Sequence, residues 1–476
     1  MNNLLFYIIN VFLIAVSLSS DHQFVFQYSF VFYIIQLILF FLNSRHAVSK
    51  SSLFLSPSFL TLVYLCLNFA LGEYMVSRHY GFSDLYYKAI QDSKNLNWVT
   101  AYFLLCNIVV YLAIPVHLRE GRMTVKATAV PAAAKWVLVN NTGAYLIISC
   151  IALLILGFIS IDLSVLGGSG NFSYVFQVAI AIPLCFILSI EKRSYRWPLF
   201  VLILAFFMAG HFGSKREILY IFLLILLAEV IMGNIRLNFS VRRIILFSVL
   251  GAVIFYIIII SSILRGYGNY NVKNIFDAND YVSVYMREDY FMDALVSNLE
   301  VNAVYGNSAN AANYVFAGKT DLLNGSTFLK VLFIPVPRSA FPEKPKSMVD
   351  IYTARFMPAL RRDGGSLPVI LYTELLWNFH FLGLPLLFFF YRYFNKLCSA
   401  AFLQLKNGML SFRNMSIVFL YVTFIQFVRG SGMDMWLLYY LLSIPSLLIL
   451  EYLLKAKYFH VQKETRFNES NLLLNT

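Results

Sequence analysis

The feature that most constrains this chain is a series of about twelve apolar segments, interrupted by one long and largely polar stretch from Arg265 to Ser366. Most of the apolar segments approach the roughly 20 residues that a helix needs to cross a bilayer. Mean hydropathy is +0.70 and 13% of residues are charged, against about 25% charged residues in soluble proteins. The chain is therefore predicted to be all-α, a polytopic integral membrane protein.

Apolar runs bounded by charges place the predicted spans, which should be helices because lipid leaves few other ways to satisfy the backbone. The segment at 197–210 is short for a crossing, so it and the next segment alternatively form a re-entrant hairpin. The predicted spans lie near 3–18, 25–42, 53–72, 98–116, 143–162, 173–190, 197–210, 217–232, 243–262, 367–391, 414–428 and 434–453.

The distribution of Lys and Arg between the spans predicts the orientation. With a cytoplasmic N-terminus, the inside segments hold twenty cations and the short outside links hold six, which is the positive-inside bias. Both termini are then cytoplasmic, and the polar stretch lies outside. The predicted regions are a membrane domain of about nine spans at 1–264, the large loop at 265–366, membrane helices at 367–454 and a cytoplasmic tail at 455–476.

Cations on the predicted outer face oppose that bias, so they are candidates for binding an anionic or diphosphate group. Four prolines between Pro335 and Pro345 predict a stiff, extended segment that fixes the spacing of its cations. The alternatives are a loop that only covers the membrane domain, a solvated turn at 361–365, and ion pairs with Glu217 or Asp434. The candidate anion-binding residues are Lys215, Arg216, Arg265, Arg338, Lys344, Arg361 and Arg429.

Candidate general bases are Glu374, near the outer end of an apolar span, His380, deeper in the same span, and Asp434, at the turn before the last span. An ionisable residue in such a position is a functional hypothesis, and a structural ion pair is the alternative. Within one helix His380 would lie on a different face from Glu374 and nearly two turns away, so these two are not expected to act as a dyad.

Several classes of function are disfavoured by the sequence. The cations are scattered between apolar spans rather than gathered in a basic domain, which argues against nucleic acid as a partner. No nucleotide-binding glycine motif, zinc-protease motif or Asp-rich metal site is present, and the polar stretch contains no cysteine. We expect no metal and no cofactor.

At three motifs the chain resembles the Wzy-type oligosaccharide repeat-unit polymerases, which make O-antigen, capsule or enterobacterial common antigen. These motifs are Gly213 to Arg216, the segment Ile334 to Pro345, and Arg429 with Asp434 before the last span. The resemblance implies a metal-independent glycosyltransferase in the bacterial inner membrane with a periplasmic loop. It implies as partners an undecaprenyl-diphosphate-linked oligosaccharide, membrane lipid and a chain-length regulator.

In such a reaction the growing glycan leaves undecaprenyl diphosphate and joins the sugar of another lipid-linked unit. Arg216, Arg338 and Arg429 would stabilise the departing diphosphate, and Glu374, Asp434 or His380 would deprotonate the acceptor hydroxyl. An O-antigen ligase shares this donor chemistry and stays an alternative. A flippase for lipid-linked oligosaccharides is a second alternative, although transporters place their polar residues nearer mid-membrane.

Overall fold

The computed structural model describes residues 3–44, 53–80, 84–91, 93–115, 142–159, 172–191, 195–210, 215–235, 252, 256, 259–260, 263, 277–282, 300–334, 336 and 340–473. Within these ranges the regular structure is helical, and no strand occurs. The helices are α1 Asn3–Ser19, α2 His22–Ser44, α3 Pro57–Ser77, α4 Asp84–Gln91, α5 Leu96–Leu112, α6 Thr142–Phe158, α7 Ser173–Glu191, α8 Arg196–Gly210, α9 Lys215–Ile231, α10 Val301–Phe316, α11 Ser326–Leu329, α12 Met348–Phe356, α13 Pro358–Arg362, α14 Leu371–Phe379, α15 Gly383–Lys406, α16 Phe412–Gln426 and α17 Met433–Leu473.

Five helical segments are long and apolar enough to cross a membrane: His22–Ser44, Pro57–Ser77, Ser173–Ile190, Leu371–Lys406 and Met433–Leu453. Five shorter apolar helices accompany them in the described part of the chain. The predicted all-α class and the expectation of a helical membrane protein are confirmed at this level. The number of twelve spans stays a prediction, and the segment predicted at 243–262 lies mostly outside the described residues.

The segment predicted as one span at 367–391 is interrupted. Residues 365–370 have no regular secondary structure and end in Ile370 with an extended backbone. Helix α14 ends at Phe379, and a short 3₁₀ turn from His380 to Leu382 leads into α15. His380 has a φ of 51°, which is the left-handed region that a continuous helix does not allow. Pro385, in the first turn of α15, disfavours one continuous helix through this point, because its ring would clash with the carbonyl four residues earlier. A Cβ on Gly383 would lie 2.9 Å from Leu375 O, so the second helix starts packed closely on the first.

Helix α10 lies within the polar stretch, yet it is buried. Thirteen of its 16 residues are buried, including Asn302, Asn307, Ser308 and Asn310. Its backbone approaches α3 so closely that a Cβ on Gly72 would lie 2.6 Å from the Tyr305 Cβ. The polar stretch is therefore not a purely solvated loop, because this helix packs against membrane helices through small and amide side chains.

The described chain forms two compact units. The first draws on residues 1–124, 237–396 and 424–437, and the second on 125–236, 397–423 and 438–476. Helices α1 to α5 and the whole range of the polar stretch, 265–366, belong to the first unit. The region boundaries predicted from the sequence describe membrane topology, which these units do not test, and they stay predictions.

In the second unit, α8 and α9 lie side by side as an antiparallel pair. Arg196 at the start of α8 is 3.4 Å from Glu229 near the end of α9, and Asn234 donates a hydrogen bond to the Ser189 carbonyl near the end of α7. The start of α8 thus lies beside the end of α9, as in a helical hairpin. Whether this hairpin crosses the bilayer or re-enters stays a prediction.

Candidate functional site

Three short elements of the polar stretch bring charged side chains to the end of the membrane helices in the first unit. Helix α11 continues into a 3₁₀ turn from Lys330 to Phe333. Helix α12 begins with a capping box, in which the Ser347 side chain accepts a hydrogen bond from Asp350 N and the Asp350 carboxylate accepts one from Ser347 N. This box fixes Asp350 in the first helical turn, where a carboxylate is favoured by the helix dipole.

Lys330 connects the polar stretch to the last membrane helix. Its Nζ lies 2.6 Å from Asp434 Oδ2 at the start of α17 and 3.4 Å from Asp350 Oδ2. Asp350 Oδ1 in turn lies 2.7 Å from Arg361 Nη2 in α13. We call Lys330, Asp350, Arg361, Asp434 and the neighbouring Glu374 the charged junction.

Two cations determine the protonation of Asp350. Burial alone would raise the pKa of this carboxyl, but Lys330 and Arg361, with hydrogen bonds from Ser347, hold the pKa below its usual value. Asp350 is therefore a carboxylate at neutral pH. It acts as the link that holds both cations in place.

Glu374 is the buried member of the charged junction, with 3% of its surface exposed. Its Oε1 accepts a hydrogen bond of 2.8 Å from Thr327, and Asn378 donates one of 2.9 Å to the same hydroxyl. Asp434 and Lys330 are both close enough to act electrostatically on the Glu374 carboxyl. Thr327 and Lys330 are three residues apart, so one short segment supplies both contacts to this region.

The turn before α17 determines where Asp434 lies. Gly430 has a φ of 103°, and a Cβ there would lie 2.6 Å from the Val369 carbonyl carbon, so only glycine allows this contact. Val369 N donates a hydrogen bond to Gly430 O, which ties the turn to the extended segment before α14. The helices that carry Asp434 and Glu374 are thus joined at their starts.

Arg429 occupies a π-helical turn, Phe427–Ser431, just ahead of that glycine. Its guanidinium forms an ion pair with Glu300, the residue that precedes α10. Of the predicted alternatives, Asp434 pairs with Lys330, and the side chain of Glu217 lies outside the described residues. The side chain of Arg429 is 20% exposed.

The structure thus brings together three of the residues predicted from the sequence, namely Glu374, Asp434 and Arg361. His380 lies at the helix break, and its ring packs edge-on against Phe316 and Phe381. Lys344 is buried and donates hydrogen bonds to the carbonyls of Ile334 and Val336, so its ammonium group supports the fold of its own segment. Their predicted roles stay predictions.

Four predicted residues cannot be placed with the rest. The side chains of Lys215 and Arg216, and all of Arg265 and Arg338, lie outside the described residues. Among the described residues, no group of three or more His, Cys, Asp or Glu side chains is arranged to hold a metal ion.

Sequence reasoning missed Lys330, Asp350 and Thr327. Asp350 had a usable signal, because Ser347-Met-Val-Asp350 is a capping-box sequence, and a carboxylate in a first helical turn is a fixed point for cations. Lys330 follows Ser-Thr-Phe-Leu in a sequence with no distinguishing pattern, and only the fold shows that it faces two carboxylates.

The charged junction combines the buried carboxyl of Glu374, the two carboxylates Asp350 and Asp434, and two cations that each have a protein partner. A general base needs a carboxyl within reach of a substrate hydroxyl, and anion binding needs cations that can exchange a carboxylate for a phosphate oxygen. Arg361, with 37% of its side chain exposed, is the most accessible cation of the junction. No family model, curated protein or solved structure matches this chain, so the argument for its function rests on these residues.

Proposed function

We propose that this protein polymerises undecaprenyl-diphosphate-linked oligosaccharide repeat units into a surface polysaccharide, at the periplasmic face of a bacterial inner membrane. The observation that carries the proposal is the convergence of Glu374, Asp434 and Lys330 where the polar stretch meets the membrane helices. A lipid-linked substrate needs such a place, because its diphosphate lies at the membrane surface and its glycan lies in water. The charged junction supplies candidate residues there for binding the diphosphate and for deprotonating the acceptor hydroxyl.

In the proposed reaction, the acceptor hydroxyl oxygen bonds to the anomeric carbon of the donor glycan. The bond from that carbon to the phosphate oxygen breaks, and undecaprenyl diphosphate leaves with the electron pair. Glu374 takes the hydroxyl proton. Asp434 and Asp350 are less suited to this role because both already form ion pairs with Lys330. General base catalysis of this kind contributes about 10²- to 10⁴-fold.

Arg361 and Arg429 are the proposed contacts for the departing diphosphate. Arg361 pairs with Asp350 and Arg429 with Glu300, and both side chains are partly exposed. A phosphate oxygen would share or replace that carboxylate, and charge-assisted hydrogen bonds would stabilise the negative charge as it develops. In the free protein the carboxylates hold these guanidinium groups ready.

The test uses the native host with this gene deleted and restored from a plasmid. We expect the deletion to leave lipid A core bearing a single repeat, and the wild-type copy to restore long chains. Glu374→Gln should behave like the deletion, because the amide cannot take a proton. Asp363→Asn is the matched control, since Asp363 is an exposed carboxylate beside the junction, and it should restore long chains.

Other outcomes would overturn the proposal in distinct ways. Core without any repeat in the deletion strain would indicate a ligase or a flippase. Wild-type chain lengths with Glu374→Gln, at normal membrane levels of the protein, would remove Glu374 as the base. Supplying the purified protein with lipid-linked repeats alone separates polymerisation from ligation to lipid A core. A polymerase releases undecaprenyl diphosphate under these conditions, so failure to release it would overturn the proposal.

A further inference from the structure

Glu73 in α3 is a second buried acid of the first unit, and nothing in the proposed reaction uses it. One per cent of its surface is exposed. Its Oε2 accepts a hydrogen bond of 2.6 Å from the Phe30 backbone N–H in α2, while its Oε1 has no hydrogen-bond partner among the described residues. Ionisable groups inside membrane helices are costly and are kept where they pair or bind something.

Four hydroxyl groups from three other helices surround this carboxyl. Ser29 and Tyr33 belong to α2, Thr100 to α5 and Tyr305 to α10, and all four are buried. Tyr33, Tyr305 and Ser29 are close enough to Glu73 to interact with it, and Thr100 is beside Tyr33. In the described part of the chain none of the four hydroxyl oxygens has a hydrogen-bond partner of good geometry.

Close helix packing holds these groups together. Gly72 lets the α10 backbone approach until its would-be Cβ is 2.6 Å from Val301 O, which brings Tyr305 beside the residue that follows Gly72. The Phe69 ring lies between the two tyrosines, 5.2 Å from the Tyr33 ring and 6.2 Å from the Tyr305 ring. The cluster is therefore a built site within a packed helical core.

Among the described residues, no cation forms an ion pair with Glu73. Arg78, at the end of α3, acts on it only through space, and its guanidinium lies over the Tyr74 ring. From the neighbouring helices, α2 contributes Tyr33, α10 contributes Tyr305, and α5 contributes the uncharged Thr100; Lys88 of α4 is exposed. One carboxyl group and several hydroxyl oxygens without partners thus share a buried site.

We infer that Glu73, Ser29, Tyr33, Thr100 and Tyr305 form a buried binding site for one monovalent cation, either Na⁺ or a proton. Oxygen-only ligand sets suit hard cations, and a single carboxylate balances a single positive charge. A bound cation would satisfy Glu73 Oε1 together with hydroxyls from α2, α5 and α10. The inference does not depend on the proposed polymerase function.

Occupancy of this site would stabilise the docking of α10. That helix also holds α14, because Ser308 Oγ accepts a hydrogen bond from Ile370 N and Ser308 O accepts one from Thr373. Thr373 is the residue before Glu374. Cation binding at Glu73 is thus connected to the charged junction through one buried helix.

The experiment is a thermal unfolding series on the purified full-length protein in detergent, in NaCl, KCl or choline chloride at equal ionic strength and at several pH values. A ligand that binds only the folded protein stabilises it by RT ln(1 + [L]/Kd), so the midpoint of unfolding rises with the logarithm of ligand concentration above the Kd. For a Na⁺ site we expect such a rise with NaCl and not with KCl or choline chloride. Thr100→Val should move the Na⁺ concentration at which the rise begins about tenfold higher, and Glu73→Gln should abolish the rise.

Thr61→Val is the matched control. Thr61 lies on α3, as Glu73 does, but its hydroxyl donates a hydrogen bond to Pro57 O and accepts one from Tyr391. It is not part of the proposed site, so this variant should keep the full Na⁺ response. For a proton site, Na⁺ has no specific effect, and the stability difference between wild type and Glu73→Gln changes with pH.

If Glu73→Gln does not fold, Ser29→Ala and Thr100→Val replace it in both series, and ²³Na NMR on the wild-type protein measures Na⁺ directly. A response that is neither Na⁺-specific nor pH-linked in these variants overturns the inference. So does an equal Na⁺ effect in Thr61→Val and Thr100→Val.

Discussion

Two buried acids in the same unit, Glu374 and Glu73, are stabilised in opposite ways. Glu374 has a hydroxyl donor in Thr327 and an ammonium group, Lys330, nearby, both from a short segment of the polar stretch. Glu73 has one backbone donor and a set of hydroxyls without partners. The contrast indicates that a carboxyl beside charged partners is suited to react with a substrate, whereas one surrounded by neutral oxygens is suited to bind a small cation.

Lys330→Met gives the largest expected effect and tests the first half of this comparison. It leaves Asp434 and Asp350 without their shared cation in a buried setting. Breaking a buried ion pair from one side costs about 3 to 5 kcal/mol, which detergent unfolding should detect as a large fall in stability. Lys319→Met, which removes an exposed lysine in the same stretch, is the control; equal effects of the two changes would contradict the role of the junction.

Gly72→Ala tests the second half. The added methyl would meet Tyr305 Cβ and Val301 O at 2.6 Å, so α10 has to move away from α3 at a cost of about 1 to 3 kcal/mol. The proposed cation response should weaken together with stability. A change at the exposed neighbour Leu71 to Ala serves as control, and unchanged stability in Gly72→Ala would show that the helix contact is looser than described.

Acid should remove the contribution of Asp350. Its pKa is lowered in the folded protein, so its stabilisation is complete above the unfolded value of about 3.9 and is lost as pH falls through the lower folded value. We expect the free energy of unfolding of the wild type to exceed that of Asp350→Asn by about 1 to 3 kcal/mol at pH 7. This difference should shrink below about pH 4. A difference that grows on acidification would have the wrong sign.

The smallest effect is expected for Ser347→Ala, which removes the hydroxyl of the capping box at the start of α12. Loss of such a cap costs about 1 kcal/mol, and it should loosen Asp350 without unpairing the junction. Hydrogen exchange of the first turn of α12 should rise in this variant. Exchange in α3 should not change, which distinguishes a local cap from a general loss of stability.

The sequence predicted the helical segments well because apolar runs between charges are a strong signal. It predicted poorly the places where polar residues are buried. Val301 to Phe316 contains Asn, Ser, Gly and Ala rather than long apolar side chains. This composition predicts part of a solvated loop, although the helix is buried in the first unit. The break at His380 has a usable signal in Pro385, five residues later, because a proline interrupts a continuous helix. The positive φ of His380 itself has none, since such a conformation in a residue other than glycine or asparagine is set by packing.

For the candidate site, charge in an unusual position identified Glu374, Asp434, Arg361 and Arg429 as residues of interest. It did not identify their partners. The pairing of Asp434 with Lys330 rather than with Arg429 depends on how the turn at Gly430 meets Val369, and that is a contact between segments about sixty residues apart. Sequence alone does not contain such distances, so roles remain open until the fold is known.

The burial of α10 also has a consequence for how the protein is made. More than two hundred residues separate α3 from α10, and at synthesis rates of about 5 to 20 residues per second the first helices wait about 10 to 45 s for it. During that interval Glu73 and its hydroxyl neighbours lack the helix that completes their surroundings. The early helices therefore insert before their packing is complete, and the first unit reaches its final packing only after α10 has been synthesised.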